Sequence, residues 1–238
     1  MGGRISCELS NFNQNQEYPG PPRGIPNVSN NFIKQLALQK SLIKLLAILL
    51  IASCKQPAQN RFLSISEIDE IRQEFNLPKN QTFILDTTYL PYLFTLDTSR
   101  YSDAIKNHYQ PLQAAYYNNK GQLVSFHINC YAGIGVPDGQ ALNWNQSNAF
   151  DSFLPSSVAP IDSILSLNIA LQFIKTIDNN SIDTTGFSSQ DFTILVYWNK
   201  TLFKQDALNL IATVNENAAK ANGKKIKILY VNNDNNWR

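Results

Sequence analysis

The 238-residue chain predicts an α/β fold built on a mixed sheet, and three patterns carry that expectation. Phe192-Thr193-Ile194-Leu195-Val196-Tyr197-Trp198 is a near-continuous β-forming run, as expected of a central strand covered on both faces. An amphipathic stretch and a second such run, Ile226-Lys227-Ile228-Leu229-Tyr230-Val231-Asn232, follow it. Together they make a β-α-β unit whose two strands should run parallel. Upstream, 112–117 and 122–130 flank Asn118-Asn119-Lys120-Gly121, the pattern of an antiparallel hairpin, because Asn and Gly tolerate the backbone of tight turns.

Taken in order, Ser64 and Glu67 have the form of a capping box. Ile65, Ile68, Ile71 and Phe75 then recur at helical spacing, which predicts a helix over 65–76. Pro78, after Asn76 and Leu77, ends it because proline cannot continue the hydrogen-bond ladder. Its acidic face (Glu67, Asp69, Glu70, Glu74) reads as solvated. Residues 82–85 form a short strand. The segment 86–102 is aromatic (Tyr89, Tyr92, Phe94, Tyr101) and irregular, and its pattern assigns no element.

Along 122–130, Val124, Phe126, Ile128 and Cys130 alternate with Ser125, His127 and Asn129. The second set makes a polar face, solvated or hydrogen-bonded. Cys130 goes with the apolar set, as a small buried hydrophobe. His127 and Cys130 lie three apart on one strand, so they point to opposite faces and cannot pair on a metal.

Residues 131–160 form a long loop, and loops of this length are usually functional or pinned down. Trp144, Phe150 and Phe153 either pin it to the core or line a ligand cleft, and the loop is the foremost candidate binding surface. Asp162 can cap a helix running to Ile177, apolar on more than one face and therefore buried. Residues 179–186 are a loop. After Trp198, Asn199 or Thr201 caps a helix with Ala207, Leu208, Leu210, Ile211, Val214 and Ala218 on its apolar face. Asn222-Gly223 closes that helix.

The segment 190–235, with TILVYW, a helix, a Lys-rich turn and IKILYVNND, resembles the core unit of the thioredoxin-like fold, particularly its membrane-tethered periplasmic branch. The family's redox members open this helix with a Cys-x-x-Cys pair, where the helix dipole lowers a thiol pKa. Here the place is held by Asn199-Lys200-Thr201-Leu202-Phe203-Lys204-Gln205, so thiol–disulfide exchange is excluded. The family's later hairpin and helix have counterparts upstream, at 112–130 and 162–177. The resemblance therefore implies a permuted sheet, with the hairpin beside strand 192–198 and strand 226–232 on that strand's other side. The alternative is a generic α+β sandwich with a mixed sheet.

A second resemblance fixes an address. Lys40 and Lys44 precede the uncharged run Leu45-Leu46-Ala47-Ile48-Leu49-Leu50-Ile51, which is too short to cross a bilayer needing about 20 apolar residues. Ile51-Ala52-Ser53-Cys54 resembles the lipobox of bacterial lipoproteins. The resemblance implies cleavage before Cys54, acylation of that residue (palmitate among the expected chains), and a cell-envelope protein anchored in the membrane and facing the periplasm. The alternatives are a core helix ending in cysteine and an anchor with a cytoplasmic tail. The expected organisation is a leader over 1–35, disordered or mis-annotated, then a signal peptide over 36–53, a tether over 54–63 and one globular domain over 64–238. Met1 is the single methionine, so a start near the signal would need a non-ATG codon recorded as Leu36 or Leu38.

Cleavage would remove Arg4, Arg23, Lys34, Lys40 and Lys44, together with Glu8 and Glu17. That leaves 15 basic and 16 acidic residues, a net charge of −1. No basic patch remains, which argues against nucleic acid as a partner. Cys7 would be lost and Cys54 acylated, leaving Cys130 as a lone thiol with no disulfide and no Cys-based metal site.

The expected function is a non-catalytic binding or scaffolding module without a cofactor. Its partners would be the membrane, through Cys54, and an envelope protein or peptide. The candidate contacts are Trp144, Phe150, Phe153, His127, Trp198 and Asn199. A third reading, resting on the thioredoxin resemblance, has the helix opening after Trp198 bind a carboxylate or peptide end. The alternative is an envelope hydrolase using His127 in the 112–160 region, with Ser125 and a carboxylate such as Asp138 or Asp151 beside it.

Overall fold

A computed structural model describes residues 61–137 and 139–237. The expectations for the leader, the signal peptide, the lipidation of Cys54 and most of the tether lie outside the described residues, as does Asp138. The compact unit begins at Phe62, two residues before the expected start. It does so because the backbone of Leu63 exchanges two hydrogen bonds with the Asn235 side chain, at 2.7 and 3.1 Å.

The first helix, α1 (Ile65–Glu74), opens on the expected capping box, with Ser64 and Glu67 each bonding the other's backbone. It closes at Asn76, whose positive φ of 53° turns the chain toward Pro78. β1 (Thr82–Leu85) follows. The unassigned aromatic segment forms two helices, α2 (Tyr89–Thr95) and α3 (Thr98–His108). Asp97 separates them and caps the second by accepting from the backbone N–H groups of Ser99 and Arg100.

β2 (Gln113–Asn118) and β3 (Leu123–Ile128) make the hairpin. In its turn only Gly121 takes a positive φ. Asn118 acts through its side chain instead, accepting from the N–H groups of Lys120 and Gln122. β3 stops two residues short of Cys130, because α4 (Asn129–Ala132) begins there.

The helix expected over 162–177 shrinks to α5 (Leu167–Gln172), and Ile174–Thr176 is an edge strand, β4. Two elements of different period side by side account for a stretch apolar on several faces. β5 (Phe192–Trp198), α6 (Lys200–Ala219) and β6 (Ile226–Asn232) form as read.

The six strands lie in the order β3-β2-β5-β6-β1-β4. β5 and β6 are parallel, and β2 pairs antiparallel with β5. The hairpin thus sits beside β5 with β6 on the other side, as the permuted arrangement requires. β1, parallel to β6, and β4, antiparallel to β1, extend the sheet further.

Strand alternation sorts the core into two layers. Ala114, Tyr116, Ile194, Val196, Trp198 and Tyr230 face α1, α6 and the 131–160 loop. Ala115, Tyr117, Leu195, Tyr197, Leu229 and Val231 face α2, α3 and α5. Leu210 and Val214 of α6 are fully buried, and each stabilises the packing by about 1.5–3 kcal/mol.

Candidate functional site

Three chain segments meet at the carboxyl ends of β5 and β6, where open α/β sheets commonly bind ligands. Trp198 and Asn199, singled out from the sequence, lie there and are both 0% exposed. Trp198 packs against Phe75 with ring centroids 4.8 Å apart. Asn199 is the N-cap of α6, its side chain accepting from the N–H of Leu202 at 2.8 Å.

The N–H groups of Lys200 and Thr201 are taken by Asp234, 34 and 33 residues further along the chain. Asp234 accepts from the N–H of Lys200 at 3.2 Å and of Thr201 at 2.7 Å. It also accepts from Asn232 Nδ2 at 2.6 Å. Asn233 joins Asn199 and donates to the Pro111 carbonyl at 2.7 Å. The helix N-terminus, a ready anion site by its dipole and free N–H groups, is therefore filled by the chain's own carboxylate. The signal in the sequence is the run Asn232-Asn233-Asp234-Asn235-Asn236, side chains suited to bonding nearby backbone.

The polar face of β3 is not solvated. Ser125 and His127 are both 0% exposed, under Phe150, whose ring lies 4.2 Å from the imidazole. Ser125 Oγ and His127 Nε2 are 3.0 Å apart, and His127 Nδ1 is buried without a partner. Burial pulls the His127 pKa down to about 3. The imidazole is therefore neutral at pH 7 and shielded from solvent. Asp151, offered from the sequence as a third member, instead accepts from Asn145.

The 131–160 loop is pinned. Trp144 is buried and donates Nε1–H to the Asp206 carbonyl at 3.0 Å. Phe150 is buried and Phe153 half-buried, packing edge-on against Phe192 at 5.1 Å. Asn217 of α6, fully buried, donates to the carbonyls of Phe150 and Ser152. These aromatics hold the loop rather than line an open cleft.

Cys130 is disulfide-bonded rather than a lone thiol, and its partner is not among the described residues.

One pair, a buried His108 and a half-buried Asp162, joins segments too far apart for a local pattern to show. His108 Nε2 is 3.1 Å from both carboxylate oxygens of Asp162, 54 residues away, and its ring stacks on Phe126. Asp162 edges a shallow cleft of about 260 Å³ that Arg100, Tyr101 and Asn107 also line. Among the described residues no group of three His, Cys, Asp or Glu side chains is placed to hold a metal ion. No family model, curated protein or solved structure matches this chain.

Proposed function

We propose that this chain is a membrane-anchored envelope lipoprotein whose globular domain serves as a non-catalytic binding or scaffolding module. The observation that carries the reading is the block Ile51-Ala52-Ser53-Cys54 behind a basic flank and a short apolar run. The domain's chemistry supports the non-catalytic half. The helix opening that would hold a thiol pair carries Asn199 and is closed by Asp234. The Ser125–His127 pair is buried and its base is weak.

Intact-mass analysis of the protein isolated from bacterial membranes tests the anchor. The expected product begins at Cys54 and carries acyl chains, and Cys54→Ser abolishes them. A peptide from within residues 1–32 of the mature protein would overturn the reading.

The same sample tests a linked point. The chain has three cysteines, so the disulfide of Cys130 belongs to the uncleaved chain, and cleavage with acylation would deprive Cys130 of both possible partners. Cys130 of the processed protein should therefore alkylate, once unfolded, without prior reduction. A Cys130 that needs reduction first, in protein that is monomeric on a non-reducing gel and carries no small-thiol adduct by mass, would exclude the processed form.

A further inference from the structure

The large hydrophobic side chains at the surface are not scattered. Among the described residues six stand out: Phe62, Ile65, Phe94, Ile134, Ile161 and Leu202, from 36% to 65% exposed. All but Ile161 gather at one end of the sheet, the end at which β5 and β6 finish.

Leu202 is in the first turn of α6, directly after β5. Phe62 and Ile65 flank the Leu63–Ser64 segment that Asn235 holds. Ile134 follows α4, and α4 follows the end of β3, where Ile128 and Tyr197 both align with Gln113. Phe94 meets Tyr109 at a tilt, with ring centroids 5.3 Å apart, and Tyr109 meets Trp237 edge-on at 4.4 Å, which adds an aromatic string to the same end. Ile161 instead lines a groove beside the hairpin turn at Lys120 and Gly121, at the opposite end. Single exposed hydrophobics need no explanation, but a cluster at one end does.

We infer that this end of the domain docks on the lipid bilayer, with the exposed Phe94 and Leu202 entering its interfacial zone and the half-buried Trp237 beside them. The inference rests on the lipoprotein reading. The position of the cluster argues for the bilayer as occupant, because the described chain enters the domain beside it. Phe62 lies eight residues after Cys54, and a fully extended segment of that length reaches about 28 Å at most. An acylated Cys54 therefore keeps this end within that distance of the membrane. Tryptophan and tyrosine favour the headgroup level, where an apolar ring and a polar tip are both satisfied, and exposed Phe and Leu gain by leaving water. The acyl chains and the apolar end would then act as two linked contacts, the second made intramolecular by the first.

The test uses full-length protein, expressed in bacteria and reconstituted into phosphatidylcholine vesicles whose acyl chains carry bromine. Trp144 and Trp198 are buried, so Trp237 is the tryptophan best placed to meet the quencher. The expected result is a loss of tryptophan emission relative to unlabelled vesicles, absent in Trp237→Phe and absent in Phe94→Asp/Leu202→Asp. Those two side chains are exposed, so their replacement leaves the core intact.

Intact mass of the same sample separates the two readings. Acylated protein with no loss of emission would overturn the docking and leave the lipoprotein reading standing. In detergent-solubilised protein, a dimer by light scattering that Phe94→Asp/Leu202→Asp converts to monomer would overturn the docking and assign the face to a second copy of the chain. Quenching that persists in the double Asp variant would also overturn the docking, because the contact would not be made by this face. Absence of acyl chains would remove both readings together.

Discussion

Two buried polar constellations lie on the sheet, and they differ in completeness. At the ends of β5 and β6, Asn199, Asn232, Asn233 and Asp234 bond one another, the first turn of α6 and the Pro111 carbonyl. On β3, Ser125 and His127 share one bond, and His127 Nδ1 has no partner. Both sit at 0–1% exposure. The first group exchanges hydration for a full set of protein partners, so it locks structure. The second exchanges hydration for half a set, so it is a liability whose charged state the fold suppresses. Burial alone therefore does not mark a functional group; the partners left over do.

The largest effect that would sharpen this contrast is acid sensitivity. The His127 pKa falls from 6.5 toward about 3 on folding. Between those values the unfolded chain binds a proton that the folded chain refuses. Stability is thus fully present above pH 6.5, declines as pH falls through that window, and levels off below about 3. The loss is on the order of 5 kcal/mol across the window. Asp86, held down to about 2 by its hydrogen bond with Lys175, adds acid sensitivity only at lower pH, below the usual carboxylate range. Urea midpoints measured from pH 7 to pH 4 should fall, and a flat profile would break the contrast.

Next in size is Asp234→Ala. It leaves the N–H groups of Lys200 and Thr201 and the Asn232 amide without their acceptor, so a destabilisation of about 3 kcal/mol is expected. Asp234→Asn keeps one acceptor oxygen and should lose about 1 kcal/mol. Denaturant midpoints at pH 7 with an unchanged slope would check both. A neutral Asp234→Ala would show that water replaces the carboxylate and that the helix end is open after all.

The smallest effect belongs to Ser125→Ala/His127→Leu. Removing both partners of a half-satisfied pair should change stability at pH 7 by no more than about 1 kcal/mol. The same variant should flatten the pH profile between 6.5 and 4. A large loss at pH 7 with the profile intact would show that the pair is more fully bonded than its geometry indicates.

Much of the fold was legible because its signals are local or periodic. Ser64 and Glu67 announce α1, the 192–198 run announces a covered strand, and Ala207, Leu210, Ile211 and Val214 mark the buried face of α6. Residues 86–102 were not legible. Tyr89, Leu90 and Leu93 of α2 face inward, but about two turns of helix give too short a period to recognise. The stretch 162–177 misled because a six-residue helix and a three-residue strand merged into one apolar run.

Among the site residues, Trp144, Phe150 and His127 have side chains that serve equally in a cleft or a core. Which of the two they serve depends on how Asn217, 67 residues beyond Phe150, ties the loop to α6.

The sequence by itself determined the strand directions of the β-α-β unit and the hairpin, because each is written in residues close together along the chain. Only the tertiary structure decided that the polar face of β3 is buried, that Asp234 closes α6 from 33 residues away, that His108 meets Asp162 across 54, and that the exposed hydrophobics collect at one end. Those are relations between distant segments. They follow from how two sheet faces are covered, and no local pattern encodes which loop will do the covering.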